Sequence, residues 1–272
     1  MLGATASFLE EEYTIPPWVH LLNKSDLMTA IQNRLTGLLS WYKGKFKHYD
    51  VNNEMLHGSF YLDRLGKDIR SYMFKMAHQL DPSTSLFVND YHVEDGRDTR
   101  SALEKYIEQV GTYQDAPIEG IGIQGHVDSP VGSVVTSALD KLGILGFPIW
   151  FTELNVPSIN EYVRADDLEV MLREAFAHPA VDGIMLWGFW ELYNAHLVNA
   201  EGDVNEAGKR FIQLKKECLS HFHSQIDDHG EFRFRGFHGK YNVEIDTQYS
   251  KKISKAFLVD KGSSPLVVNI DM

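Results

Sequence analysis

The feature that most limits what this chain can fold into is a rhythm. Short apolar, β-branched runs begin near residues 46, 85, 118, 147 and 181, and long amphipathic stretches separate them. Such alternation predicts βα units feeding a parallel sheet. The helical stretches carry apolar residues at steps of three and four. Leu27, Ile31, Leu35, Leu38 and Tyr42 follow Ser25 as N-cap, and Gly44 stops them. Ile69, Tyr72, Met76 and Leu80 mark the next helix, which Asp81-Pro82 ends. Leu103, Ile107 and Val110, then Val135, Leu139 and Leu142, then Leu168, Leu172 and Phe176 mark three more. Ala207, Phe211, Leu214 and Cys218 mark the last. About 30–40 residues per unit is the pace of a (β/α)8 barrel. A doubly wound sheet has a similar pace, but no Gly-rich phosphate loop follows any strand, so the barrel is preferred.

Beyond residue 220 the pattern changes. Phe232 and Phe234, then Tyr241, Val243 and Ile245, alternate with polar residues across Gly236–Gly239 and predict a hairpin. Lys255–Val259 and Leu266–Ile270 read as further strands. The expected division is an unassigned segment 1–15, a partial barrel 16–227 and a small antiparallel β appendage 228–272.

Charge and cysteine content narrow the function. Acidic residues outnumber basic ones 38 to 26, for a net charge of −12. That balance disfavours nucleic acid and anionic membranes as partners. A single cysteine, Cys218, excludes an intramolecular disulfide and a Cys-built zinc site. No apolar run reaches the roughly 18 residues of a membrane span. The opening MLGATASFLEEEYTIPP has no basic stretch, and Glu10–Glu12 break its apolar run, so no signal peptide is visible. A sequon stands at Asn23-Lys24-Ser25.

Polar residues collect where the strands end: Asn53 and Glu54, Asn89 to Tyr91, Gln124 and His126, Glu153, and Trp187. In a barrel these ends open on one face, where active sites form. Taken singly, such residues are more often helix caps, turns or core. Together they offer two carboxylates that follow apolar strands, the pair needed for glycoside hydrolysis. Trp187 offers a face for sugar stacking. A metal-dependent hydrolase built on Asp90, His126, Asp128 and Glu153 is a weaker reading, because these four residues do not form a His-x-His or His-Glu-x-x-His spacing. No metal or other cofactor is expected.

Five segments in order, YDVNNEM (49–55), FVNDYH (87–92), IGIQGH (121–126), IWFTELN (149–155) and MLWGFWE (185–191), resemble glycoside hydrolase family 10. The resemblance is to its endo-β-1,4-xylanases in their plant-type form. It implies a (β/α)8 barrel and retaining hydrolysis of xylan or xylo-oligosaccharides. By motif position it implies Glu54 as general acid/base and Glu153 as nucleophile. Asn53 would bond the hydroxyl next to the reacting carbon, His126 would orient toward the nucleophile beside Gln124, and Tyr91 and Trp187 would line the glycone side. An extracellular or cell-wall location is implied as well. The acid/base strand is the family's fourth, yet only 45 residues precede it. The barrel is therefore expected to be incomplete, with about five βα units, two exposed sheet edges that favour self-association, and weakened catalysis. The rival reading is an inactive xylan-binding or regulatory fragment. The segment 191–196 reads as a shortened loop on the glycone side, and 228–272 resembles the plant-type tail.

Overall fold

A computed structural model describes residues 2–4, 8–95, 102–113, 115–190, 194–246, 252–262 and 264–271. Two compact units appear, residues 1–211 and 212–272. In chain order the first holds β1 (Leu2–Ala4), β2 (Phe8–Leu9), α1 (Pro17–His20), α2 (Lys24–Tyr42), β3 (Phe46–Asn53), α3 (Phe60–Leu65) and α4 (Ile69–Leu80). Then follow β4 (Ser85–Asp90), α5 (Ala102–Gly111), β5 (Gly120–Ile123), α6 (Gly132–Gly143), β6 (Ile149–Leu154), α7 (Glu161–Ala177) and β7 (Val181–Leu186). The final helix, α8 (Glu206–Glu217), crosses the boundary between the units.

The sheet runs β1-β3-β4-β5-β6-β7, with β2 also on β3, and every pairing is parallel. The five expected strands are all present. The N-terminal segment adds a sixth position, because β1 and β2 pair successive stretches of β3. The β3 edge, expected to be exposed, is therefore covered. Among the described residues the sheet stays open, ending at β1/β2 and at β7. Inner strands β4 and β5 are almost wholly buried, whereas Gly183–Leu186 of β7 are half-buried, as an end strand should be.

The N-terminal segment is held by a buried ion pair. Glu10 is fully buried and Arg70 nearly so, and Arg70 Nε donates to Glu10 Oε1 at 2.8 Å. Asn52 Nδ2 and the Tyr61 backbone N–H, each at 3.2 Å, complete the shell around the carboxylate. Gly58 makes this approach possible: a Cβ there would lie 2.1 Å from the Glu10 carbonyl oxygen.

Several local expectations shift. Asn23, not Ser25, caps α2, its Oδ1 accepting from the Asp26 backbone N–H at 2.9 Å. The sequon asparagine is thus engaged in a cap. The buried stripe of α2 is Leu27, Ile31, Leu35 and Leu39, rather than Leu38 and Tyr42 at its end. In α4 and α5 the buried faces are Ile69, Met73, Phe74 and Ala77, and Ala102, Tyr106 and Val110. Phe176 of α7 is exposed, and Cys218 is half-buried one residue past α8.

The second unit contains an antiparallel hairpin, β8 (Gly239–Asp246) with β9 (Lys252–Val259). Phe232 and Phe234 lie outside it, and no strand forms at 266–270. Those aromatic residues pack instead: Phe234 lies against Phe222 and Tyr241, with ring centroids 4.9 and 5.5 Å away. Ser220 joins Phe237 and Tyr241 by hydrogen bonds. These contacts draw residues before 228 into the second unit.

Candidate active site

The strand ends are stitched together by main-chain hydrogen bonds that continue past the strands. Glu54 N–H donates to Asn89 O, Gln124 N–H to Asp90 O, Glu153 N–H to Gln124 O, and Trp187 N–H to Leu154 O, all at 2.8–2.9 Å. This alignment brings side chains from five strands to one face.

Glu54 leaves β3 in the left-handed region, with φ of 61°. A non-glycine residue there costs about 1–3 kcal/mol, which surrounding structure must offset. Its Oε1 accepts from Gln124 Nε2 at 3.0 Å and Asn53 Nδ2 at 3.3 Å, and Gln124 also donates to Asn53 Oδ1. The other oxygen, Oε2, is buried and has no hydrogen-bond partner among the described residues. Burial raises the Glu54 pKa; the Gln124 hydrogen bond opposes this, and the charges of Glu11, Asp90 and Glu153 add to it. Glu54 is thereby biased toward its protonated form.

Glu153, near the end of β6, has the opposite surroundings. Oε1 accepts from Asn89 Nδ2 at 3.4 Å, and Oε2 lies 3.4 Å from His126 Nε2. Asn89 is oriented by Thr152, whose Oγ donates to Asn89 Oδ1 at 2.7 Å and so leaves the amide N–H for Glu153. Gly122 provides the room: a Cβ there would meet Asn89 Oδ1 at 2.5 Å. His126 Nδ1 donates to Asn155 Oδ1 at 2.9 Å, which turns Nε2 toward the carboxylate. Burial alone depresses His126, but its hydrogen bonds to Glu153 and Asn155 and the charges of Glu153 and Glu94 raise it overall.

Trp187 stands edge-on to His126 at 6.1 Å and is 39% exposed. Tyr91 stacks flat on His57 at 3.6 Å, and His57 Nδ1 lies 2.7 Å from buried Asp90. The Tyr91 hydroxyl donates to Glu11. Beneath the face, Asp50 is wholly buried without a hydrogen-bond partner, and burial followed by the Glu153 charge pushes its pKa well up. Neighbouring His48 is pushed down to about 4, mainly by burial. His48 Nε2 and Asp50 Oδ1 lie 3.9 Å apart, and burial disfavours the charged form of each.

Sequence reasoning left Glu11, Thr152 and Asn155 out of the site, and it placed Asn89 among the strand-end residues without giving it a role. Asn155 had a usable signal, two positions beyond Glu153. Glu11 had none, because three successive glutamates read as a solvated stretch. Residues 191–193 of the loop expected to be short, including Glu191 of the last motif, lie outside the described residues.

The profile described as "Glycosyl hydrolase family 10" matches residues 11–194, about two thirds of the chain. The chain belongs to glycosyl hydrolase family 10. Endo-1,4-beta-xylanase 1 of Arabidopsis thaliana is 65% identical over 271 residues, covering 97% of this chain and 29% of that protein. Endo-1,4-beta-xylanase 3 of the same plant is likewise 65% identical, covering 97% and 36%. This family 10 chain thus spans about a third of the length of these relatives. Among solved structures, xylanase 10B from Thermotoga petrophila RKU-1, in complex with xylobiose, superposes with a TM-score of 0.65 at 21% identity. That match covers 75% of this chain and 70% of the other, and it supports an incomplete TIM-type barrel.

Proposed function

We propose that this chain hydrolyses internal β-1,4-xylosidic bonds of xylan with retention of configuration. The observation that carries the reading is the contrast between two carboxyl groups on one face. Glu54 is desolvated and surrounded by negative charge, whereas Glu153 is met by the Asn89 amide and the His126 imidazole. An acid and a nucleophile need those environments. In the first step Glu153 attacks the anomeric carbon and forms an ester bond to the sugar. The glycosidic C–O bond breaks, and its oxygen takes the Glu54 proton. In the second step Glu54, now a carboxylate, takes a proton from water. The water oxygen displaces Glu153, returning it as a carboxylate.

Asn53 and Gln124 orient Glu54, while Trp187 and Tyr91 supply aromatic walls. The high identity to plant endo-xylanases supports xylan as the substrate, and with it an extracellular, cell-wall setting. A 2-fluoro xylobioside with a good leaving group tests the mechanism, because it forms the ester and releases it slowly. The expected result is one added fluoro-xylobiosyl mass on a peptide containing Glu153. Labelling elsewhere, or no label on a folded chain, would refute it.

A further inference from the structure

The N-terminal segment delivers two neighbouring glutamates to opposite sides of the sheet. Phe8 and Leu9 pair in parallel with Asn52 and Asn53, and Glu10 N–H donates to Asn53 O at 3.1 Å. The register thus brings residues 10 and 11 level with the end of β3, beside Glu54. Successive residues of extended chain point to opposite faces. Glu10 turns to Arg70 and the helix layer, and Glu11 turns to the catalytic face. Glu11 is 6% exposed, and its carboxylate accepts from the hydroxyls of Tyr91 and Tyr13. The stacked pair Tyr91–His57, with His57 on Asp90, fixes that hydroxyl in turn.

We propose that Glu11 is a positioning residue for the acid, a third carboxylate that stands beside Glu54 and holds it in its proton-donating form. The inference takes Glu54 as the acid of the reading above. Among the described residues, the groups acting on Glu54 are Glu11 beyond β2, Asp90 beside His57 at the end of β4, Gln124 after β5, and Glu153 on β6. Those acting on Glu11 are Tyr91 and Tyr13. Of the three anions that act on Glu54, Glu11 ranks first. Glu153 has the nucleophile's role, and Asp90 is already committed to His57 and to the backbone N–H groups of Leu56 and Tyr91. Glu11→Gln therefore removes the charge while keeping a side-chain oxygen that can accept from Tyr91 and Tyr13.

The test is a carbon-13 NMR titration of carboxyl-labelled glutamate in the whole chain, with Glu54→Gln assigning the resonance. Glu11→Gln should lower the Glu54 midpoint by about half a pH unit or more, the scale of one nearby like charge, while Glu11→Asp keeps most of it. Turnover should lose its alkaline limb at correspondingly lower pH in Glu11→Gln. If Glu11→Gln fails to fold, Glu11→Ser is titrated in its place, and a Glu54 midpoint unmoved in that folded variant would overturn the proposal. A lowered midpoint in a chain without turnover would sink the hydrolase reading and leave this one standing. Turnover with an unmoved midpoint and an unmoved alkaline limb would do the reverse.

Discussion

Two glutamates of identical chemistry stand in different surroundings. Glu54 has one oxygen anchored by Gln124 and Asn53 and the other buried with no partner among the described residues, so its proton is retained to a higher pH than usual. Turnover by the proposed mechanism requires that proton. It is therefore expected to fall as pH rises through the raised Glu54 pKa, and a pH series of kcat/KM on xylan checks the sign. Glu54→Ala should cost xylan hydrolysis roughly 100-fold or more, the usual range for a positioned acid. The same variant should spare the first step on an aryl xylobioside whose leaving group needs no proton, measured as a burst of released phenol. Equal losses on both substrates would remove Glu54 from the acid role. The strand-end positions are legible in the sequence because a carboxylate directly after an apolar strand is conspicuous. Glu11 is not legible, since its burial depends on which strand Phe8 and Leu9 join.

The elements are held by a few buried polar anchors. Glu10→Ala leaves Arg70 buried and unpaired and should destabilise the chain by about 3–5 kcal/mol, read from urea unfolding. A change under 1 kcal/mol would mean that the segment is not docked as described. Asp81 closes the α4–β4 turn onto the end of α2, accepting from the Gly44 N–H at 2.9 Å and from the Ser83 and Thr84 hydroxyls at 2.6 and 2.8 Å. Burial works against its charge, but these hydrogen bonds lower its pKa below the ordinary 3.8. The stabilisation is therefore present above about pH 3.8 and lost as pH falls through the depressed value. Asp81→Asn should cost about 1–3 kcal/mol at neutral pH and progressively less in acid, measured by melts across that range. Strand starts and helix identities are legible from periodicity. Helix faces can differ by a residue, as Leu39 for Leu38 illustrates, because the elements packed against a helix decide which flank of the apolar stripe is covered. The hairpin partner escapes for a different reason: in an exposed β8, alternation alone does not distinguish Phe232–Phe234 from Lys252–Val259.

For the molecule as a whole, the question is whether an open sheet supports the chemistry of a closed barrel. Six parallel strand positions are described, and the N-terminal segment covers the edge of the acid/base strand that counting βα units would leave bare. The same segment contributes Glu10 to the fold and Glu11 to the catalytic face. What the open side does not supply is wall, and lost positioning lowers rate more readily than it removes the reaction. The most direct measurement is hydrolysis of an aryl xylobioside by the purified 272-residue chain, beside Glu153→Ala and a thermal melt of both. The predicted result is cooperative melting of both proteins, with turnover that falls by roughly a thousandfold or more in the variant. A cooperatively folded chain with no turnover, or with turnover indifferent to Glu153, would contradict the account.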